Sequence, residues 1–323
     1  MKFSFTAAKL GCGIFGLIAF GLAGAQEYPT REVRLIVPWN AGGAVDITAR
    51  MISKLAQTEG LTLVVDNVPG ATGSIGMAKI AAAKPDGYTL GIGTTSQLAL
   101  VAQGLTKTKN DQFTYLNQVS VEQFLLVVPG DSKIETPEAF MASIKSSAGK
   151  VSIGTAGGNN VAHILAMTTA EIAGGEIVHV PYPGGAKVVG DLSGKQISAG
   201  VLKPSESKGQ IQAGLIKPIA VYSENRIPSM PNVPSFAEKG WNTFPQGPLI
   251  QMSYLVAPAN LPASVSEKLT LVFNKILQSS EYKAFANENG FSVKDTYGSA
   301  LKKEVNVVQN TLNIVAPKLF KKQ

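Results

Sequence analysis

Residues 34–46 read RLIVPWNAGGAVD, and this stretch sets the pattern for the rest of the chain. Residues 34–38 are typical of a strand buried on both faces of a parallel sheet, because their apolar run is continuous. Residues 39–43 predict a glycine turn. Over residues 45–56 apolar side chains recur at helical spacing. The stretch therefore predicts a strand, a tight turn and an amphipathic helix in succession.

The same alternation continues along the chain. The sequence predicts further strands at residues 61–65, 88–92, 124–128, 151–154, 177–180, 219–222 and 254–258. It predicts further helices at residues 70–83, 137–146, 161–173, 265–278, 280–287 and 299–318. Strands that alternate with helices favour α/β units with parallel strands and right-handed crossovers. We therefore expect an α/β protein with two lobes, in which the chain returns to the first lobe near its end.

The first 25 residues are typical of a secretory signal peptide. Lys2 and Lys9 precede an apolar run at residues 10–22, and small residues flank a cleavage site near Ala25. The run is shorter than the ~20 residues that a spanning helix needs, which favours a signal peptide over the alternative of a membrane anchor. The only cysteine, Cys12, lies in this segment. We therefore expect a periplasmic mature protein with neither a disulfide nor a reactive thiol.

The composition excludes several classes of protein. Charged residues make up 16% of the chain and hydrophobic residues 45%, so there is enough apolar surface to offset the entropy of an ordered chain. The net charge of +7 is not concentrated in a basic block, which argues against nucleic-acid binding. Neither a P-loop nor a nucleophile elbow occurs in the sequence. The two histidines, His163 and His179, form no metal-binding motif, so we expect no catalytic residue, metal or cofactor.

Three loops combine a strand end, small residues and a helix start, at residues 39–46, 67–74 and 155–160. Backbone N–H groups and the positive end of the helix dipole both point out of such a loop, so it binds anions without arginine or lysine. In open parallel sheets, ligands bind at the carboxyl ends of the strands, where these loops lie. We expect loops of both lobes to hold one small anion. The alternative is that each glycine loop only packs a helix tightly against its strand.

Six motifs, in a fixed order, resemble those of a known family. They are YP with GGAVD at 28–29 and 42–46, NVPGATG at 67–73, PDGYTL at 85–90, GTAG at 154–157 with His163, HVPY at 179–182, and PNVPS at 231–235 with Glu238 and Gly240. Together they resemble the periplasmic solute-binding receptors of tripartite tricarboxylate transporters, the TctC or Bug family. The resemblance covers nearly all of the chain beyond the signal peptide.

This resemblance implies a type II periplasmic-binding-protein fold, also called a Venus flytrap, with a parallel-rich sheet in each lobe. We expect lobe 1 at residues 26–123 plus 250–323 and lobe 2 at residues 124–249. The implied function is that of a monomeric receptor without enzymatic activity. It binds a di- or tricarboxylate or a related organic acid, and passes it to membrane transporter subunits of the tripartite tricarboxylate type. A ligand sensor that feeds a signalling partner and an exported enzyme for a small organic acid are the alternatives.

The resemblance also suggests which residues contact the ligand. The expected ligand-binding residues are Trp39, Asn40, Ala41, Gly42, Gly43, Asp46, Thr94, Thr95, Ser96, Thr155, Ala156, Asn159, Asn160, Tyr182 and Lys203. In this interpretation residues 39–43 cradle one carboxylate, and residues 94–96 end the third strand with hydroxyl donors. Residues 155–160 form the clamp of the second lobe.

Several of these roles have an alternative. Asp46 either binds the ligand or complements the start of its helix. Tyr182 either donates to the ligand or packs in a turn. Lys203 either pairs with a distal carboxylate of the ligand or is an ordinary surface lysine. For His163 a buried structural role is favoured over ligand contact.

Overall fold

The computed structural model describes residues 1–2, 28–147 and 149–320. The predicted signal peptide, apart from its first two residues, lies outside the described residues. The strands are β1 (Val33–Val37), β2 (Leu63–Asn67), β3 (Thr89–Thr94), β4 (Phe113–Glu122), β5 (Phe124–Pro129), β6 (Ser152–Ala156), β7 (Val178–Tyr182), β8 (Ala199–Leu202), β9 (Ile216–Tyr222) and β10 (Gln251–Pro258). The helices are α1 (Ala44–Thr58), α2 (Ser74–Ala81), α3 (Thr95–Ala102), α4 (Pro137–Ser146), α5 (Val161–Ala173), α6 (Gly185–Ser193), α7 (Pro204–Gln212), α8 (Ala263–Gln278), α9 (Ser280–Asn289) and α10 (Gly298–Phe320).

The strands form two five-stranded sheets with matching topology. The first has the order β2-β1-β3-β10-β4 and the second the order β7-β6-β8-β5-β9. In the first sheet β1 pairs in parallel with β2 and β3, whereas β10 runs antiparallel to β3 and β4. In the second sheet β6 pairs in parallel with β7 and β8, whereas β5 runs antiparallel to β8 and β9. The predicted α/β class is confirmed, with mixed sheets.

Two connections carry the chain between the sheets. The first is residue 123, between β4 and β5, and the second spans residues 223–250, between β9 and β10. One apolar core cluster extends across both sheets, and it includes Leu126, Phe140, Tyr254 and Leu312. The two sheets are therefore joined by packed side chains as well as by the chain. The predicted lobe boundaries, which no independent finding tests, stay a prediction.

Five elements are absent from the prediction: β4, α3, α6, β8 and α7. The sequence of α6 does have a helical period, since Val188, Val189 and Leu192 lie on its buried face, but the helix is only nine residues long. In α3 most side chains are buried on every face, so no polar stripe marks the helix. The prediction that Thr95 and Ser96 end the third strand is wrong, because β3 ends at Thr94 and the next two residues begin α3.

The carboxyl ends of the parallel strands lie next to the starts of helices in both sheets. The loop after β1 and the junction of β3 with α3 belong to the first sheet, and the loops after β6, β7 and β8 belong to the second. Each of these loops is followed by the first turn of a helix. No helix within the described ranges is long and apolar enough to cross a bilayer.

Candidate functional site

A cavity of about 390 Å³ lies where these loops of the two sheets meet. Ten of the expected ligand-binding residues line it: Trp39, Asn40, Ala41, Gly42, Gly43, Thr94, Ser96, Ala156, Asn160 and Lys203. The other five expected residues, which are Asp46, Thr95, Thr155, Asn159 and Tyr182, are not among the residues that line it. The structure separates the expected residues that line the cavity from those that lie behind it, and the binding roles of both groups stay predictions.

Asp46 holds the loop after β1 from behind. The Gly42 N–H donates to Asp46 Oδ2 at 2.8 Å, and Arg50 Nε donates to the same oxygen at 2.9 Å. Asn67 Nδ2 donates to Asp46 Oδ1 at 2.9 Å and to the Trp39 carbonyl at 3.0 Å. Burial alone would raise the pKa of Asp46, but these hydrogen bonds and the Arg50 charge lower it overall. A carboxylate that is only 2% exposed therefore fixes the shape of the loop.

The N-terminus of α1 is uncapped and lies at the cavity. Gly43 is the N-cap residue and supplies no side-chain hydrogen bond. The first helical N–H with a partner is that of Ile47, which donates to the Gly43 carbonyl at 2.9 Å. The N–H groups of Ala44 and Val45 have no acceptor among the described residues. Together with the helix dipole, two such donors form an anion site.

Trp39 lines this end of the cavity, but its indole Nε1 does not face it. Nε1 is buried and has no hydrogen-bond partner within the described part of the chain. The loop after β1 therefore presents backbone N–H groups to the cavity.

A second uncapped helix, α6, reaches the cavity from the other sheet. Gly184 is its N-cap residue and supplies no side-chain hydrogen bond. The N–H groups of Lys187 and Val188 donate to the Gly184 carbonyl at 3.2 and 3.4 Å. Those of Gly185 and Ala186 have no acceptor in the ranges that the structure describes. Residues 183–187 all line the cavity.

Sequence reasoning missed the loop before α6, although a signal was present. Residues 183–186 read PGGA and follow the predicted strand at 177–180, which is the same combination of strand end and small residues as in the other loops. Sequence reasoning also did not name the other cavity-lining residues, of which Ala44 and Val45 lie in the GGAVD motif and the rest lie outside the quoted motifs. These are Ala44, Val45, Ile47, Phe124, Ala162, Pro183, Gly184, Gly185, Ala186, Lys187, Val201, Ser205, Glu206 and Gln251.

The loop after β6 uses most of its polar groups internally. The Asn160 side chain caps α5, because its Oδ1 accepts the His163 N–H at 3.1 Å while its Nδ2 donates to the Ala156 carbonyl at 2.7 Å. The Asn159 N–H donates to His163 Nδ1 at 3.1 Å, and Thr155 Oγ1 donates to the Gly157 carbonyl at 2.6 Å. Thr155 and Asn159 therefore shape the loop, and only Ala156 and Asn160 of the expected clamp line the cavity.

The two histidines form a stack behind this loop. The rings of His163 and His179 are 3.4 Å apart with an interplanar angle of 9°. Burial and the neighbouring His179 lower the pKa of His163 to about 3, and burial lowers the pKa of His179 to about 4. Both rings are therefore neutral near pH 7. Neither lines the cavity, in keeping with the structural role favoured for His163.

Two of the three expected hydroxyl donors, Thr94, Thr95 and Ser96, lie at the cavity, and the third stabilises the fold. Thr94 and Ser96 line the cavity. Thr95 Oγ1 instead donates to the Ile250 carbonyl at 2.7 Å and accepts the Met252 N–H at 3.0 Å, which clasps α3 to β10. Thr95 thus positions its two neighbours.

The remaining expected loop, residues 67–74, packs against the fold and does not line the cavity. A Cβ on Gly76 would lie 2.9 Å from both Pro38 Cα and the Val68 carbonyl oxygen, so this position requires glycine for close packing. Tyr182 also has a packing role, because its ring lies against Gly154 and its carbonyl accepts the Gly157 N–H at 2.7 Å.

Lys203 is not a surface lysine, as its side chain is only 9% exposed. Its Nζ lies 3.5 Å from Glu122 Oε1 and 3.5 Å from Glu206 Oε1. Burial would lower the pKa of Lys203, but the two carboxylates raise it overall. Burial raises the pKa of Glu122, although Lys203 and Ser205 oppose that shift. Lys203 and Glu206 line the far side of the cavity.

Comparison with known proteins identifies the family. The model of the "Tripartite tricarboxylate transporter family receptor", TctC, matches residues 46–318, and the chain belongs to this family. A UPF0065 protein of Agrobacterium vitis is 32% identical over 254 residues, which are 77% of this chain and 72% of the relative. The periplasmic binding protein BugD superposes with a TM-score of 0.81 at 28% identity, over 91% of this chain and 98% of BugD.

A more distant structure shows the same fold. An R. palustris protein solved with adipate superposes with a TM-score of 0.82 at 24% identity, over 91% of this chain and 98% of that protein. The comparisons confirm the predicted family and the two-lobed periplasmic-binding-protein fold. Members of this family are solute receptors of transporters and not enzymes, which confirms that prediction and implies a location outside the cytoplasm.

Proposed function

We propose that this protein is a periplasmic receptor that binds a small organic carboxylate between its two sheets. It passes the ligand to membrane subunits of a tripartite tricarboxylate-type transporter. One observation carries the proposal. The helix α1 follows a strand of the first sheet, the helix α6 follows a strand of the second, and the uncapped N-termini of both lie at the same cavity. A carboxylate that accepts hydrogen bonds from both ends joins the two halves of the protein.

The proposed binding mode uses backbone donors at one end of the ligand. The N–H groups of Ala44 and Val45 hold the carboxylate on the first sheet. The N–H groups of Gly185 and Ala186 approach it from the second sheet. Thr94 and Ser96 add hydroxyl donors. Asp46, Thr95, Thr155, Asn159 and Tyr182 position these loops and do not touch the ligand.

The proposal includes hinge closure of two lobes around the ligand. Lobe 1 comprises residues 26–123 plus 250–323, and lobe 2 comprises residues 124–249. The sheet membership supports this division, since the two connections between the sheets are residue 123 and residues 223–250. A monomer suffices, because both uncapped helices at the cavity belong to one chain. Export through a signal peptide at residues 1–25 completes the proposal.

Thermal-shift screening tests this function. The protein is unfolded, dialysed and refolded to remove any copurified ligand, and is then screened with mono-, di- and tricarboxylates. A ligand that binds only the folded state at 100 times its Kd adds about 2.7 kcal/mol of stability. We expect at least one acid to raise the melting temperature and the corresponding uncharged amide to have no effect. The absence of stabilisation by any acid would contradict the proposal.

A further inference from the structure

The far side of the cavity carries charges that already compensate each other. Lys203 and Lys187 are the basic residues that line the cavity. Lys187 Nζ pairs with Asp191 Oδ1 at 2.9 Å, and Lys203 lies between Glu122 and Glu206. Within the described residues, neither lysine is left as an uncompensated counterion for a ligand.

The geometry around Lys203 gives this end an excess of hydrogen-bond acceptors. Glu206 Oε2 accepts the Lys203 backbone N–H at 3.1 Å, and Glu122 Oε2 accepts from the Ser205 hydroxyl. The remaining oxygen of each carboxylate lies 3.5 Å from Lys203 Nζ, which is longer than the 2.7–2.9 Å of a strong charge-assisted hydrogen bond. One ammonium thus faces two carboxylates, and each carboxylate has lone pairs to spare.

Burial makes the charge cluster around Lys203 favour hydrogen-bond donors on the ligand over a second carboxylate. Glu122 is 5% exposed and Lys203 is 7% exposed, so water screens their charges poorly. A second carboxylate on the ligand would be a third negative group around a single ammonium, and buried charge without compensation is costly. An N–H or O–H donor on the ligand would instead satisfy the spare lone pairs of Glu206.

We infer that the preferred ligand carries one carboxylate and, at its far end, an amino or hydroxyl donor in place of a second carboxylate. This inference rests on the proposed function, because it assumes that the first carboxylate binds at α1 and α6. It distinguishes this chain from the R. palustris protein of the same fold, which was solved with the dicarboxylate adipate. The sequence predicts a di- or tricarboxylate or a related organic acid, and this inference selects the related acids that have a single carboxylate.

Matched ligand sets test the inference by isothermal titration calorimetry. Each set contains the ω-amino acid, the ω-hydroxy acid and the dicarboxylate of one chain length, and the sets run from four to eight carbons. In the set that binds tightest, we expect the amino or hydroxy acid to bind at least about tenfold more tightly than the dicarboxylate. Tenfold in affinity corresponds to about 1.4 kcal/mol of binding free energy.

A variant assigns this preference to the charge cluster. Glu206→Gln keeps an oxygen that accepts the Lys203 N–H but removes one negative charge, so it should shift the affinity ratio about tenfold towards the dicarboxylate. Glu122→Gln should shift it in the same direction and serves if Glu206→Gln fails to fold. Glu135→Gln is the matched control, because Glu135 is 79% exposed and does not line the cavity.

The outcomes separate the two proposals. A dicarboxylate that binds more tightly than its matched amino and hydroxy acids overturns the inference but leaves the receptor function intact. An affinity ratio that neither glutamine variant changes also overturns it. Binding by none of the matched acids overturns the inference as well, whereas the proposed function fails only if the broad acid screen is negative too.

Discussion

The loops after β1 and β6 have a similar sequence pattern but differ in how their helices begin. Both follow a parallel strand, contain adjacent glycines and lead directly into a helix. In the first, Gly43 leaves the N-terminus of α1 uncapped. In the second, the Asn160 side chain caps α5 and accepts the His163 N–H. The capping residue, more than the glycines, decides whether such a loop keeps its N–H groups for a ligand.

The loop before α6 supports the same conclusion, because it also has a glycine cap and also lies at the cavity. Its N-cap residue is Gly184, which again supplies no side-chain acceptor. Two loops with a glycine cap, one from each sheet, therefore line the cavity. In the proposed binding mode the carboxylate needs no basic side chain, since backbone N–H groups and helix dipoles supply the positive potential.

The largest expected effect is on affinity, from Ala44→Pro. Proline is tolerated at the first position of a helix, as Pro137 in α4 and Pro204 in α7 already show. Gly43 has the extended backbone that a residue before proline requires. The variant removes one N–H donor to the carboxylate, and a hydrogen bond to a charged group contributes about 1.5–3 kcal/mol. We expect calorimetry to show an affinity loss of about 10- to 100-fold.

Ala44→Val is the matched control for this variant. It adds similar bulk at the same position but keeps the N–H, so its affinity should stay near that of the parent protein. Equal loss in both variants would mean that the cavity senses bulk and not the donor. Full affinity in Ala44→Pro would show that α1 does not hold the carboxylate.

The next effect is on stability, from Asp46→Ala. This change removes the charged acceptor of the Gly42 N–H, the Asn67 amide and Arg50 Nε, and a hydrogen bond to a charged group contributes about 1.5–3 kcal/mol. We expect urea unfolding to show a stability loss of about 2 kcal/mol, with weaker binding because the loop loses its shape. Exposed Asp111→Ala, which lies in no sheet or cavity-lining loop, should change neither. Parental stability in Asp46→Ala would refute its supporting role.

Asn160→Ala should have a smaller effect, and on stability alone. Loss of an N-cap side chain typically costs about 1 kcal/mol. If Asn160 serves α5 and not the ligand, the folded variant should bind within about twofold of the parent, as an N-cap loss acts on the helix. A loss of affinity comparable to that of Ala44→Pro would restore the loop after β6 as the clamp of the second lobe.

A further prediction concerns the dependence of stability on pH. The pKa values of His163 and His179, about 3 and about 4, lie below the ordinary 6.5, so the unfolded chain binds more protons between these limits. Stability should therefore fall as the pH drops from 7 towards 4, and only slightly between pH 7 and pH 6. His179→Phe keeps the stacked ring and should flatten this dependence in urea unfolding. An unchanged slope would show that the pair does not contribute.

Much of the fold was predictable because its strands and helices have clear periods and strong end signals. The predicted bounds of α4 and α5 match the structure, since Thr136 and Pro137 mark the start of α4 and Gly174 ends α5. The helix α3 was missed because it is buried on nearly all sides. The strand β4 was missed because buried polar residues such as Asn117 and Gln118 interrupt its apolar pattern.

The site was predictable where a single loop contains the signal. The loop at residues 39–43 was predicted from the strand before it, its small residues, the helix after it and the GGAVD motif. The burial of Lys203 and its ion pair with Glu122 were not predictable, because Glu122 is distant in sequence and lies on the unpredicted strand β4. Whether a loop's amides stay free also depends on its cap, and that Asn160 caps α5 with its side chain was not predicted from the sequence.

The most direct test of the account is an amide NMR titration of the refolded, ¹⁵N-labelled protein with the acid that binds tightest in the matched sets. We expect the N–H resonances of Ala44, Val45, Gly185 and Ala186 to move downfield together, with one common Kd, as they begin to donate to the carboxylate. If these four resonances stayed in place while those of residues 158–161 moved, carboxylate binding at α1 and α6 would be contradicted.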